Sequence, residues 1–358
     1  MKKSNIFYIA LILLVLFLYF TYNIHTDGIK IQNMLDDYWS LPYTQRVELV
    51  VPPKNIDWLK DGVFKPLNPS IRKEAGNYVV IFRYTNNETK DGIYFTYRGH
   101  KGFIMNKTVI ANYDANFKIQ YDKKDPIEVD IPSHYIVNKK TNIYGVEDCR
   151  WLGANSFLGT AAQFSEGSVN RMVRVDMDPT TRIVTRVQRL YAPIIKEDGI
   201  TQKNWLPFIR DGQELYVYKI SPFIVCNMNN EIIVETKSKS PYIVSCSRGG
   251  AAPVPWRSDR VPTEAWLMIV HFYDSDNWDI FGGNRVYYHQ FMTLDENLIP
   301  SRISNVFTFS KERIQYISGL CESLQNGHYV LTAGINDSQA WALEVERSVI
   351  EISLINKL

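Results

Sequence analysis

The residues best suited to chemistry fall in four short clusters. "GVEDCRW" (Gly145–Trp151) sets two adjacent carboxylates, Glu147 and Asp148, beside Arg150. "QKNWLPF" (Gln202–Phe208) offers Lys203 and Asn204. "SRGGAAPVPW" (Ser247–Trp256) offers Arg248 ahead of paired glycines, and "AGINDSQAW" (Ala333–Trp341) offers Asp337. His271 closes the apolar run "AWLMIVH". Glu147, Asp148 and Asp337 are candidate acids or bases. Arg150, Lys203 and Arg248 are candidate anion binders, the arginine fork being matched to phosphate. Asn204 can donate to or accept from a hydroxyl. Trp151, Trp205, Trp256 and Trp341 can stack on sugar rings, and Gly249–Gly250 lets backbone approach a ligand closely.

Each feature also has a plain reading. An isolated Glu-Asp pair suits a solvated turn, Lys203 and Arg248 suit an ordinary surface, and Asn204 and Asn336–Asp337 suit loop chemistry. Tryptophans anchor cores, and His271 suits a satisfied core histidine. "YDSDNWD" (Tyr273–Asp279) contains the DxD of metal-dependent nucleotide-sugar transferases, but without the alternating β/α context of those enzymes. No metal and no other cofactor is implied.

The elements that must position these clusters are strands. From Asn77 onward, short apolar runs such as "YVVIFRYT", "ELYVYKIS", "AWLMIVHFY" and "HYVLTAGI" alternate with turns and are rich in aromatic and β-branched residues. The body is therefore all-β. Five loosely similar units begin near Tyr78, Glu147, Trp205, Gly249 and Gln315. Each is about fifty residues long, the size of a four-stranded blade with its loops, which predicts a five-bladed β-propeller over 71–358. Loops on one face of a propeller converge on its axis, so four clusters would meet in one funnel.

The order of the clusters adds to this. The sequence resembles the five-bladed β-propeller family of inverting β-mannoside phosphorylases and related mannosyltransferases. That family carries a "G-I/V-E-D-P-R" motif, a lysine-bearing segment, a "G-x-G-x-P-P/V" loop before a "G-W-L-x-x-Y-H" strand, and a late "Y-G-A-A-D" motif. The counterparts here are "GVEDCR", "QKNWLPFIRDGQELYVYKIS", "RGGAAPVPW…EAWLMIVHFY" and "LTAGINDSQAWAL", over Gly145–Leu343. The resemblance implies Asp148 as the acid that protonates the glycosidic oxygen, directly or through a substrate hydroxyl. It implies Arg150, Lys203 and Arg248 near a phosphate or phosphosugar, and Asp337 with His271 on sugar hydroxyls. Cys149 stands where the family has proline, and the "GGAAPV" loop is altered.

One acidic motif with three cations fits phosphorolysis or glycosyl transfer better than inverting hydrolysis, which needs a second carboxylate about 6.5–9.5 Å from the first. The expected partners are a glycan and a phosphate or activated sugar donor. The rival is a non-catalytic glycan-binding or attachment propeller, for which Trp151, Trp205 and Trp341 matter and Asp148 does not.

At the N-terminus, "MKK" precedes the uncharged run Ile6–Tyr22. As a helix it would extend roughly 26 Å, a short membrane crossing. No small-residue cleavage site follows, so 1–25 reads as an uncleaved signal anchor with the body lumenal or extracellular, and 26–70 reads as a stalk and lead-in. Sequons at Asn87, Asn106 and Asn336 suit that placement. The four cysteines can be bridged or buried as free thiols, without metal or redox spacing. The formal charge is +2, and Lys2 and Lys3 account for it, so nucleic acid is not expected as a partner.

Overall fold

The computed structural model describes residues 38–52, 56–90, 93–96, 103–121, 126–165, 167, 169–194, 200–236, 240, 242–244, 246–274 and 286–358. The expected anchor, in 1–37, and the DxD stretch beyond Asp274, in 275–285, lie outside the described residues. Among those described, no helix is long and apolar enough to cross a membrane.

The chain is an all-β propeller. A first sheet runs Lys65–Glu74, Asn77–Thr85, Ile104–Tyr113 and Ile127–Val129, with Ile143–Tyr144 added in parallel. A second runs Glu147–Trp151, Ser156–Ala161, Arg171–Met177 and Val184–Arg189, and a third runs Leu206–Arg210, Gln213–Lys219, Phe223–Asn227 and Ile232–Thr236. A fourth is built on Arg248–Pro255, Glu264–Asp274 and Val286–Asp295. The fifth holds Gln315–Glu322, His328–Ile335 and Gln339–Glu346, with Gln45–Glu48 as its outer strand. The first strands of the five sheets pack against one another around the centre.

Burial explains why the strands read as continuous apolar runs. In Asn77–Thr85, Tyr78, Val80 and Phe82 pack towards Val330 and Ala342 of the fifth sheet. Their neighbours Val79 and Ile81 pack towards Phe157 and Val173 of the second. A strand covered on both faces has no polar side, so alternation is lost. The same holds between the second and third sheets, the third and fourth, and the fourth and fifth. The apolar interfaces therefore form a closed cycle.

Two departures from the sequence reading concern the ends. The segment taken as lead-in supplies Trp39–Ser40, paired in parallel with Phe307–Thr308, the closing strand Gln45–Glu48, and the first half of Lys65–Glu74. Pro66 and Pro69 disguised that last strand. They are tolerated because it is the edge strand of its sheet. Cys149, Cys226 and Cys321 are buried free thiols.

One buried ionic cluster fastens the C-terminal end. Arg302 donates from Nε and Nη2 to the two oxygens of Glu264, each at 2.6 Å, and from Nη2 to Glu351 Oε1 at 3.1 Å. Glu351 lies on the helix Arg347–Ser353, so the pair ties that helix to the fourth sheet. Burial pushes the Glu264 carboxyl up, but Arg302, Thr293 and Trp256 outweigh it and hold it below the ordinary glutamate range. Glu264→Ala leaves a buried guanidinium without its main partner and is expected to cost about 3–5 kcal/mol in urea unfolding. Because its folded pKa is lowered, Glu264 stabilises the native state above the unfolded value near ~4.3, and that contribution is lost as pH falls further. A loss within experimental error in Glu264→Ala would show that the helix is held by its apolar contacts alone.

Candidate active site

Four residues at the centre share an unusual backbone. Asn68, Asp148, Asn204 and Asp337 have φ of 45, 51, 63 and 50°. Asn and Asp are the side chains that best tolerate this left-handed region. Asn68 and Asp148 sit in irregularities of the first two inner strands, between Leu67 and Ser70 and between Glu147 and Arg150. Asn204 immediately precedes the third inner strand. Asp337 lies in a hairpin turn closed by Ser338 N–H to Ile335 O at 3.1 Å. The kinks at Asn68 and Asp148 break the up-down alternation of their strands, and all four side chains line a common place.

That place is a cavity of about 560 Å³. Its lining includes Asn68, Asp148, Lys203, Asn204, Arg248, His271 and Asp337, from all five sheets or the loops that enter them. Seven residues proposed from the sequence thus line it: Asp148, Lys203, Asn204, Trp205, Arg248, His271 and Asp337; Glu147 does not.

Arg83, which the sequence reading missed, organises the acidic end. Its Nη2 donates to Glu147 Oε1 at 2.6 Å, its Nη1 to Asp148 Oδ1 at 3.0 Å, and its Nε to Asn106 Oδ1 at 2.8 Å. Asn68 Nδ2 reaches the same Asp148 oxygen at 2.8 Å. Oδ1 is therefore doubly engaged, and Oδ2 is the oxygen left for a ligand. The adjacent carboxyls split in acidity. Burial pushes Glu147 up, and the partial relief from Arg83 does not reverse it. Burial also raises Asp148, but Arg83, Arg150 and Asn68 together hold it below the ordinary aspartate range.

Arg150 is not at the ligand surface. It is 1% exposed, and its Nε donates to Gly250 O at 2.9 Å, its Nη1 to Asp148 O at 2.9 Å and its Nη2 to the Tyr316 hydroxyl. A buried guanidinium must spend its donors on protein, so it lies beneath the cavity rather than on an anion. The cations that line the cavity are Lys203, Lys219 and Arg248. His271, stacked near Tyr287, is held well below the ordinary histidine range by burial, with His289, Arg150, Arg248 and Lys203 adding to it. It is a neutral ring at physiological pH.

The tryptophans are committed elsewhere. Trp151 is buried and donates to Ser70 O at 3.2 Å. Trp205 forms part of the cavity wall, but its ring is stacked on Tyr216 at 4.6 Å. Trp341 carries the Arg46 guanidinium at 4.2 Å and so holds the closing strand. Trp256 is buried in the core between the fourth and fifth sheets. Large apolar rings at the ends of inner strands serve the closed cycle of interfaces, which leaves Tyr218, Tyr273, Tyr287 and Tyr316 as the aromatic lining. Gly249 approaches protein as well as the cavity: a Cβ there would lie 2.4 Å from Asn204 O. Two of the three sequons are also spent internally. Asn106 is buried with Nδ2 donating to Tyr144 O at 2.9 Å, and Asn87 is buried beside Thr85.

A signal for Arg83 was present. It is the one charge inside "YVVIFRYT", and a cation in a strand buried on both faces requires an acidic partner. Tyr316 and Lys219 carried no such mark.

No protein-family model matches the sequence, and no curated protein matches it. Solved structures match in fold. The β-1,2-mannobiose phosphorylase of Listeria innocua superposes with a TM-score of 0.54 over 86% of this chain and 96% of its own, at 13% identity. A mannose phosphorylase from Leishmania mexicana gives 0.52 over 94% and 98%, at 11% identity. A glycosyl hydrolase from Bacteroides ovatus gives 0.53 over 80% and 85%, at 14% identity. At these identities the likeness establishes a shared propeller fold.

Arg83→Gln is expected to raise the Asp148 pKa by about one unit or more, since it removes the nearest cation from two adjacent carboxyls. Carboxyl ¹³C titration of labelled protein measures this. An unmoved Asp148 signal would assign its acidity to Arg150 and Asn68 instead.

Proposed function

We propose that this chain is a carbohydrate-active enzyme that breaks or forms a β-mannoside-type bond, with phosphate or a phosphorylated sugar as the second reactant. The observation that carries this is the make-up of the cavity: Asp148 presents one carboxylate oxygen at the Arg83 end, and Lys203, Lys219 and Arg248 supply cations. One acid facing an anion-binding wall is enough for phosphorolysis, because phosphate brings its own nucleophilic oxygen. An inverting hydrolase needs a second carboxylate across the sugar to activate water. Asp337, the other acidic lining residue, raises the Arg83 pKa by its charge, so it acts on the same end as Asp148.

In this reading the bond from the anomeric carbon to the glycosidic oxygen breaks while a phosphate oxygen bonds to that carbon from the opposite face. Asp148 gives its proton to the leaving oxygen, directly or through a sugar hydroxyl. Asp148 is held ionised by Arg83, Arg150 and Asn68 and must first take up a proton. An arriving phosphate adds negative charge to the same cavity and raises its pKa, so anion binding arms the acid. Glu147, whose carboxyl burial pushes up, lies next to it in the chain. Asn204, His271 and Asp337 are assigned to ligand oxygens and hydroxyls. Run in reverse, the same groups serve a mannosyl transfer from a sugar phosphate.

Five sheets with a closed cycle of apolar interfaces support a count of five blades. The mannoside phosphorylases that share the fold make β-1,2-mannobiose the first substrate to test. Anchoring through 6–22, with the body in a lumen or outside the cell, remains part of the proposal and rests on the apolar run alone.

The purified chain with β-1,2-mannobiose and inorganic phosphate is expected to release mannose 1-phosphate. Asp148→Asn is expected to lower kcat about 10²-fold or more. Lys203→Ala and Arg248→Ala are each expected to raise the phosphate KM about tenfold or more, as for loss of a charge-assisted hydrogen bond. Equal inactivity of wild type and Asp148→Asn, with glycan binding retained, would favour the non-catalytic binding propeller.

A further inference from the structure

Tyr316 has no role in the reaction just described, yet its hydroxyl is the meeting point of three sheets beneath the cavity. Arg150 of the second sheet donates to it, and it lies 3.2 Å from Asn204 Oδ1 and 3.3 Å from Gly249 O. We propose that Tyr316 is a positioning residue that fixes the carboxamide of Asn204, so that its nitrogen and not its oxygen faces the cavity and selects an oxyanion. The inference rests on the anion-binding reading of that cavity.

Hydrogen-bond direction carries the argument. The phenol oxygen already accepts a charged N–H from Arg150, so its own proton must be donated outward. Asn204 Oδ1 is the nearer acceptor. A flipped amide would leave the phenol proton only Gly249 O, at 3.3 Å, and would turn Asn204 Oδ1, an acceptor, towards the cavity. Burial pushes the Tyr316 hydroxyl up to about 12, so it stays a protonated donor across the working range. Asn204 is 9% exposed and held at φ 63°, so its backbone has little freedom to re-aim the side chain. Among the described residues its Nδ2 has no protein acceptor, and the residue lines the cavity. Lys203 and Arg248 on the same lining can only donate. With the amide turned this way, Asn204 joins them. A surface of donors suits a ligand group that only accepts, such as phosphate, and is poorly matched to a hydroxyl that must also donate.

A double-mutant cycle on the full chain tests this, using Tyr316→Phe, Asn204→Ala and the pair. Calorimetry with inorganic phosphate reads affinity, and urea unfolding without ligand reads stability. Tyr316→Phe is expected to weaken phosphate about fivefold or more, with the KM for β-1,2-mannobiose within about twofold of wild type. The double variant is expected to bind phosphate no more weakly than Asn204→Ala alone, because the tyrosine acts through the asparagine. Independent losses that multiply in the double variant would overturn the proposal, as would unchanged phosphate affinity in Tyr316→Phe. Wild type that binds no phosphate would instead sink the phosphorolytic reading. The Tyr316–Asn204 link would then stand or fall on the stability cycle, where simple additivity overturns it.

Discussion

The structure depends on a guanidinium buried at its centre. Arg150 cannot give up its charge, and every N–H it buries must find an acceptor. It finds them on Asp148 O, Gly250 O and the Tyr316 hydroxyl, and so joins the second, fourth and fifth sheets in one hydrogen-bonded set. Tyr316 extends the set to Asn204 at the entry to the third. The first sheet is tied in next to it, where Pro69 O accepts from Ser318 Oγ at 2.8 Å and Thr332 Oγ1 at 2.6 Å. Apolar packing between sheets sets only their spacing. These directional bonds fix their register at the axis, which is why the cavity above them can be built from single residues of separate sheets.

The same residue connects fold and chemistry. Arg150 lowers the Asp148 pKa from beneath while Arg83 does so from the side. Asp148 in turn supplies the negative charge that makes a buried arginine tolerable. The resting site is therefore an ion cluster balanced by its own members, with Glu147 left as the carboxyl that burial favours in its neutral form. In the proposed reaction an anion entering the cavity disturbs that balance, which would link its binding to the protonation of Asp148.

Much of this was legible as composition and order. Runs such as "YVVIFRYT" announced strands buried on both faces, and three polar clusters marked the entries to the second, third and fourth sheets while the last marked a hairpin turn of the fifth. Asp148, Lys203, Asn204, Arg248, His271 and Asp337 all reached the cavity. Glu147, Arg150, Trp151, Trp256 and Trp341 did not, and Trp205 lines it with its ring stacked on Tyr216, for a shared reason. A residue type states what a side chain can do, not whether it faces ligand or protein. Arginine forks suit phosphate and backbone carbonyls equally, and indoles suit sugars and cores equally. Pro66 and Pro69 hid a strand because proline rules out a central ladder position, while this inner strand is an edge.

The sequence by itself determined the all-β class, the strand runs, and which polar residues stand next to one another along the chain. Those follow from local properties: side-chain shape, burial pattern and turn chemistry. Only the tertiary structure decided that Arg83 grips Glu147 and Asp148, that Arg150 lies under the cavity, and that Tyr316 meets Asn204. These contacts join residues far apart in the chain, and their direction depends on single kinks of positive φ at Asp148 and Asn204. One left-handed residue reverses where every following side chain points, and no periodicity in the sequence records it.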